Sequence, residues 1–326
     1  MSGREIEMPV RRSGATIAGV RRVIAAPDGS VRMIKRREIE SSDADLRAMQ
    51  SLCQAIWSAG SSWHIGDIPW GRRQHIGRDP EWPTAVWERD AEVLAWAWVR
   101  LPDHLDLAVH PDHPELGGEV MDWFREVAVA DDLVANAMDT EPHLIAAFRA
   151  AGFREVDDPH FMYSYTHSLA ALDEPVVPEG FIVRPVRGDD DVPRRVDVHR
   201  SAFHPSRVTV ESYANVRASW PYQQGLDWVV ETPDGRFGAF CLIWWDEVNG
   251  VGELEPVGTH QDFRRLGLAR AACLGAMRAL RDLGATEAFV CSVGAPDNPG
   301  PRDLYHSLGF VDRSRTVKYA GPRNPA

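Results

Sequence analysis

The sequence is poor in several features that mark particular classes of protein. Its 326 residues include two lysines and four cysteines, and no two cysteines are spaced as CxxC. This argues against a zinc or other metal site and against a disulfide framework, and it fits a reducing compartment. No apolar run approaches the roughly 18–20 residues that cross a bilayer. We therefore expect a cytoplasmic protein of two domains, at about 100–200 residues per domain.

Positive charge is also in short supply. Asp and Glu total 48 against 36 for Lys and Arg, which gives a formal net charge of −12. Nucleic acids and anionic membranes repel such a surface, so neither is an expected partner. An acidic surface attracts cationic ligands such as amines, although it also serves simply to keep a protein in solution.

Proline and glycine divide the chain into segments. Residues 1–32 carry many arginines and a Pro-Asp-Gly turn signal, which is typical of a basic arm or a small hairpin. Residues 170–180 lack helical or strand periodicity and are interpreted as a linker. The flanking segments, 33–169 and 181–326, share one order of elements: strand, helices, antiparallel strands, helix, strand, helix, strand. This repetition predicts two mixed α/β domains related by internal duplication.

The most informative stretch joins a strand ending at Thr259 to the strongest predicted helix, Leu268–Leu283. Apolar residues in this helix recur at three- and four-residue spacing, and Gly284 stops it. The first turn of a helix has unpaired N–H groups that attract anions, and Gly267 lets an anion approach the backbone. The N–H groups of Arg265–Arg270 are therefore predicted to cradle a pyrophosphate.

Two motifs around this helix resemble those of the GCN5-related N-acetyltransferase (GNAT) superfamily. Arg264, Gly267 and Ala269 match its Q/R-x-x-G-x-G/A turn. The closing motif of the superfamily is N-x-x-A-x-x-L-Y-x-x-x-G-F. The sequence matches it at Asn298, Leu304, Tyr305, Gly309 and Phe310, and has Pro301 where alanine is usual. With the repeated order of elements, the resemblance implies tandem GNAT folds, a catalytic one at 181–326 and a degenerate one at 33–169. Each would be a mixed, mostly antiparallel splayed sheet flanked by helices.

The resemblance also implies acetyl-CoA as the acetyl donor. Pantetheine would lie along Val257, Gly258 and Thr259, and Asn298 would brace it. Tyr305 would lie near the thioester sulfur. The phosphates would be held by the turn residues Arg264, Arg265, Leu266, Gly267, Leu268, Ala269 and Arg270.

Acetylation of an amine needs a group that takes the amine's proton, because an alkyl ammonium has a pKa of about 10.4, like lysine. Glu253 and Glu255 lie two apart on one strand, so both face one side. We rank Glu255 first as the general base, while both could be surface carboxylates. Tyr305 would protonate the departing thiolate, unless it merely covers a helix–sheet seam. The N–H near Val257 would stabilise the oxyanion.

The first half keeps the shape of these motifs but not their chemistry. Gly117 occupies the place of Gly267, whereas Glu119 stands where Ala269 does and would repel a pyrophosphate. Phe148 stands where the second half has its tyrosine, so the hydroxyl is missing. We expect this half to bind no acetyl-CoA, or to bind it without turnover.

Aromatic residues near the expected acceptor site, Trp220, Tyr222 and Trp244, are candidates for substrate binding. The leading hypothesis is an acetyl-CoA-dependent N-acetyltransferase acting on a primary amine of a small molecule. A second is mycothiol-synthase-like acetylation of a cysteinyl amino sugar, since those enzymes also pair a degenerate with an active domain. A third is a non-catalytic acyl-CoA sensor or interaction protein. The chain is expected to be a monomer or a homodimer.

Overall fold

The computed structural model describes residues 22–25, 31–294 and 297–324. The helices of this part of the chain are α1 (Asp43–Ala55), α2 (Asp67–Arg73), α3 (Leu116–Val127), α4 (Pro142–Ala150), α5 (Val192–Ala202), α6 (Val210–Ala218), α7 (Leu268–Asp282) and α8 (Gly300–Leu308). Its strands are β1 (Arg22–Ala25), β2 (Val31–Glu38), β3 (Thr84–Arg89), β4 (Glu92–Arg100), β5 (His104–Val109), β6 (Asp132–Met138), β7 (Arg154–Val156), β8 (Met162–Ser168), β9 (Ile182–Pro185), β10 (Asp227–Glu231), β11 (Phe237–Asp246), β12 (Val251–Thr259), β13 (Glu287–Val293) and β14 (Val311–Pro322).

Within the described residues these strands form one continuous, mostly antiparallel sheet. Its order is β1-β2-β3-β4-β5-β6-β14-β8-β13-β12-β11-β10-β9, with β7 paired beside β14. In each half an antiparallel run ends in one short parallel pair, β5 with β6 and β12 with β13. The structure therefore confirms the predicted fold class, a mixed, mostly antiparallel sheet flanked by helices, and the two predicted sheets are joined into one through β14 and β8.

Helix α7 follows directly from its sequence pattern. Leu268, Ala272, Ala276 and Leu280 are spaced by four and are all buried in the core of the second half. Gly284 follows the helix with φ of +101°, a conformation that glycine adopts without steric cost. The predicted helix is present and ends one residue early, at Asp282.

The two halves exchange strands. β8 belongs to the first half in sequence, but it pairs along its whole length with β13 of the second half. The first part of β14 pairs with β8, whereas its second part crosses over and pairs with β6 and β7 of the first half. Each half thus completes the sheet of the other.

Because of this strand exchange, neither predicted domain contains all the strands of its own part of the sheet. The domain boundaries stay a prediction. Residues 170–180 contain neither helix nor strand. The segment 33–169 nevertheless supplies β8 to the second half, and 181–326 supplies the end of β14 to the first. Of the predicted arm or hairpin at 1–32, β1 pairs antiparallel with β2, while residues 1–21 and 26–30 lie outside the described residues.

Candidate active site

The two parallel strands of the second half separate soon after they meet. β12 pairs with β13 only at Val251–Glu253. On its other side β12 stays paired with β11, through a bulge in which Glu255 and Pro256 oppose one residue of β11. The sheet therefore opens between β12 and β13, and Glu255 lies where the opening begins.

The end of β12 forms one edge of this opening. Val257, Gly258 and Thr259 are half-buried and pair with β11. On the opposite edge of β12 these residues are no longer paired with β13. A free strand edge is suited to an extended, amide-bearing ligand. Asn298 is exposed just before α8. Contacts of these four predicted residues with a ligand stay predictions.

A short 3-10 helix, Gln261–Phe263, follows β12, and a tight turn at residues 264–267 then leads into α7. Arg265 and Gly267 have left-handed backbone, with φ of +67° and +75°. Among the described residues no side chain caps α7, and the N–H groups of Leu268, Ala269 and Arg270, in its first turn, have no partner within the helix. A Cβ added at Gly267 would meet nothing within 4 Å, so space is open over the turn. Free N–H groups at a helix N-terminus attract an anion.

The arginines of this turn differ in their surroundings. Arg264 and Arg265 are exposed and form no ion pair within the residues that the structure describes. Arg270 donates to Asp173, at 2.6 Å, and to the carbonyl of Ser307, at 3.4 Å. Its guanidinium therefore ties the 170–180 segment to α8, while its backbone N–H belongs to the open first turn.

Two tryptophans lie against Glu255. The indole N–H of Trp244 donates to the Glu255 carbonyl at 2.6 Å, and Trp70 on α2 lies beside the carboxyl group. Burial, reinforced by the nearby carboxyl of Asp67, raises the pKa of Glu255 to about 8. A carboxyl group with this pKa exchanges protons effectively near neutral pH, as a general base requires.

Tyr305 lies on α8 behind the opening. Tyr165 and Phe310 pack against its ring, with centroids 5.8 and 5.7 Å away. Burial raises the pKa of the Tyr305 phenol well above its ordinary value, and Cys273 and Glu255 add to the rise. The hydroxyl therefore keeps its proton at neutral pH. Its packing partner Tyr165 comes from β8, so the first half supports this residue.

Sequence reasoning missed a second contribution of the first half. The loop before α2 brings His64 within 3.1 Å of Glu253, Nδ1 to Oε2. The backbone N–H of His64 donates to Asp67 Oδ2 at 2.7 Å, and this hydrogen bond stabilises the conformation of the loop. Gly66 lies so close to Trp244 that an added Cβ would be 2.3 Å from the indole. Residues 64–67 therefore form one wall of the site, and Glu253, 2% exposed, lies behind it.

The predicted acceptor residues lie at the junction of the halves. Trp220 is 41% exposed, and the Arg47 guanidinium carbon stacks 3.3 Å from the centre of its ring. It lines a cavity of about 160 Å³ together with Gln50 and other residues of both halves. Tyr222 donates to Asp227 at 3.3 Å, and Trp244 is fully buried beneath Gly66. Substrate contact by these three aromatic residues stays a prediction.

The residues that the structure describes lack two further features. They contain no group of three or more His, Cys, Asp or Glu side chains that could hold a metal ion. None of their helices combines the length and apolarity needed to span a bilayer.

Comparison with known proteins identifies the family. The model of the acetyltransferase (GNAT) family matches residues 196–310. A mycothiol acetyltransferase of Kineococcus radiotolerans is 31% identical over 227 residues, which cover 67% of this chain and 72% of that protein. The chain belongs to the GNAT family of acetyltransferases. A mycothiol acetyltransferase of Nocardiopsis dassonvillei is 26% identical over 278 residues, 73% of this chain and 81% of the relative.

Solved structures show the same fold for this GNAT protein. A tandem GNAT protein from the clavulanic acid biosynthesis pathway aligns with a TM-score of 0.60 at 15% identity, covering 90% of this chain and 99% of the other. A GCN5-related N-acetyltransferase from Sphaerobacter thermophilus aligns with a TM-score of 0.58 at 19% identity, covering 89% and 96%. The tandem arrangement of this GNAT chain therefore has a structural precedent.

The GNAT turn is open in the second half and closed in the first. Gly117, which the sequence aligns with Gly267, is the second residue of α3, and a Cβ there would lie 2.6 Å from the Cβ of Ala147 on α4. His143, also on α4, hydrogen-bonds through Nε2 to the carbonyl of Val109 at 3.0 Å, at the end of β5. Helix α4 therefore packs closely against the start of α3 and the end of β5 in this half of the GNAT protein.

Proposed function

We propose that this GNAT enzyme transfers an acetyl group from acetyl-CoA to a primary amine of a small molecule, with Glu255 as general base and Tyr305 as general acid. The observation that carries the proposal is Glu255 at the opening between β12 and β13, with a pKa of about 8. A base with this pKa is partly ionised at physiological pH and still basic enough to take a proton.

The residues present fit acetyl-CoA. A diphosphate needs N–H donors and open space, and the turn at Gly267 offers both. Arg264 and Arg265, which form no ion pair within the described part of the chain, add positive charge beside it. The free edge at Val257–Thr259 suits the amides of pantetheine. When bound, acetyl-CoA supplies the reactive thioester.

The protein's own groups balance the proton transfers. As the bond from the amine nitrogen to the acetyl carbon forms, the carboxylate of Glu255 accepts the proton that the nitrogen loses. As the carbon–sulfur bond breaks, Tyr305 Oη donates its proton to the departing sulfur. The N–H of Val257 is the candidate donor to the carbonyl oxygen where negative charge develops. Glu253 is the alternative base, but its deeper burial favours Glu255.

Calorimetric titration with CoA tests the cofactor site. We expect Gly267→Glu to weaken CoA binding at least about 100-fold, because it places a carboxylate where the diphosphate would lie. Gly152→Glu is a matched control, since Gly152 is also left-handed, with φ of +82°, and also has nothing within 4 Å of its added Cβ. Equal binding by the two variants would contradict the proposed site.

A thiol-release screen over amine classes tests the reaction. We expect Glu255→Gln and Tyr305→Phe each to lower turnover about 100-fold or more, the usual size of a general acid or base contribution. Tyr319→Phe controls for loss of a phenol, because Tyr319 is buried in the core of the first half. CoA binding without transfer to any amine would instead favour the acyl-CoA sensor.

Mycothiol-type chemistry is the second candidate, and the relatives named mycothiol acetyltransferase favour it. The screen therefore includes a cysteinyl amino sugar beside simple amines. Preference for that acceptor over simple amines in kcat/KM would support this candidate, and equal or lower values would exclude it as the main reaction.

A further inference from the structure

Three carboxyl groups meet on the face of the sheet that the first half covers. Glu253 and Glu255 come from β12, and Asp67 is the first residue of α2. His64 contacts both Asp67 and Glu253: its backbone N–H donates to Asp67 Oδ2 at 2.7 Å, and its ring Nδ1 lies 3.1 Å from Glu253 Oε2. Burial and the nearby carboxyl of Glu253 raise the pKa of Asp67, because neighbouring buried carboxyls do not both ionise readily.

No cation neutralises this group. In the described part of the chain, no arginine or lysine forms an ion pair with any of the three carboxyls, and Glu253 has only His64. Burial lowers the pKa of His64 to about 4, so its imidazole is uncharged at neutral pH. Burial also raises the pKa of both Asp67 and Glu253 well above the ordinary carboxyl range. The charge beside Glu255 is therefore set by protons held by the acids.

The loop that carries Asp67 is rigidly placed. His64 is fully buried, and Trp57 and Phe289 surround its ring, Trp57 edge-on at 5.0 Å between centroids. Gly66 is pressed against Trp244, the same indole that donates to the backbone carbonyl of Glu255. One tryptophan thus fixes both the loop of the first half and the backbone of Glu255.

We propose that the first half completes the catalytic centre: Asp67 shares a proton with Glu253, and this pair controls the charge felt by the base Glu255. His64 and Asp67 are positioning residues, because they act through β12 and not on the substrate. The proposal rests on Glu255 as the base of the proposed function. It gives the degenerate half a role that its closed GNAT turn does not.

Other titratable groups also face Glu255 or its partners. Cys291 on β13 and Tyr305 on α8 lie close to it, and Asp246 at the end of β11 acts on His64. The pKa of Cys291 and that of Tyr305 are raised by burial, so both stay uncharged at neutral pH. Asp67 and Glu253 are therefore the acidic groups that can place negative charge beside Glu255.

The test measures the titration of Glu255 in the free, full-length protein. Protein labelled with ¹³C at the glutamate side-chain carboxyl is titrated by NMR, and the Glu255 signal is assigned by its loss in Glu255→Gln. We expect Asp67→Ser to lower the midpoint of Glu255 by about one pH unit or more, because it removes a neighbouring acid. Serine keeps a side chain suited to the start of a helix.

Asp45→Ser is the matched control. Asp45 also lies in the first turn of a helix of the first half, but it pairs with Arg37. This control is expected to leave the Glu255 midpoint unchanged. If Asp67→Ser does not fold, Glu253→Gln must lower the midpoint in the same direction. An unchanged midpoint in the folded variant overturns the proposal.

The result is separable from the proposed function. Full transferase activity of Glu255→Gln would remove Glu255 as the base, whatever the NMR midpoint does. Loss of activity in Glu255→Gln with no midpoint change in Asp67→Ser would reject only the role of the first half.

Discussion

Replacing Glu255 by glutamine should stabilise the protein in a pH-dependent way. The folded-state pKa of Glu255 is about 8 against an ordinary value of 4.5. Because the folded pKa is raised, the folded state keeps a proton that the unfolded chain releases as the pH rises. The wild-type protein therefore loses stability, relative to Glu255→Gln, between about pH 4.5 and pH 8.

The size of the effect follows from this difference. A rise of about 3.5 pH units, at about 1.36 kcal/mol per unit, has an upper limit of about 5 kcal/mol. Partial exposure of the side chain reduces the figure, so we expect Glu255→Gln to be more stable by about 2–5 kcal/mol at pH 8.5. At pH 5 the two proteins should differ little, because the wild-type carboxyl is then protonated when folded.

Urea unfolding followed by circular dichroism, at pH values from 5 to 9, measures the difference. Glu179→Gln, at an exposed position in the 170–180 segment, is the control and should show no such trend. A constant difference between wild type and Glu255→Gln across this range would refute the argument that burial raises the pKa.

Two further predictions concern the first half and the exchanged strands. Gly117→Ala should lower the free energy of unfolding by about 1–2 kcal/mol, since its Cβ would crowd Ala147, without changing CoA affinity. Gly118→Ala on the same helix has nothing within 4 Å and should be neutral or stabilising in the same urea assay; equal effects of the two would contradict the close packing. Residues 181–326 expressed alone should lack cooperative thermal unfolding, because they lack β8, and co-expression with 1–180 should restore it. Cooperative unfolding of 181–326 alone would disprove this dependence.

The features that could be predicted from the sequence are local. The turn around Gly267 depends on a glycine, a helix start and a preceding strand, all within about a dozen residues, and its geometry is as expected. Tyr305 is predicted from a motif of fixed spacing, most of which lies on one helix. Glu255 is predicted because alternation along a strand places it on the same face as Glu253, and the structure adds a bulge at Pro256. The catalytic roles of both residues stay predictions.

The features that could not be predicted depend on packing across long sequence separations. His64 lies 189 residues from its partner Glu253, and no local pattern links the two. The signal, a histidine and an aspartate three apart around Gly66 in a tryptophan-rich segment, is visible but common. The strand Met162–Ser168 alternates aromatic and polar residues, yet the sequence does not say that it pairs with the other half.

The exchange of β8 and β14 bears on how such a chain can change over generations. In many tandem proteins one half can change freely or be deleted. Here the first half holds a strand that pairs with the second half, and the second half returns one at its own end. Loss of either half would leave the remaining half with an unpaired sheet edge, so selection for the activity retains both halves.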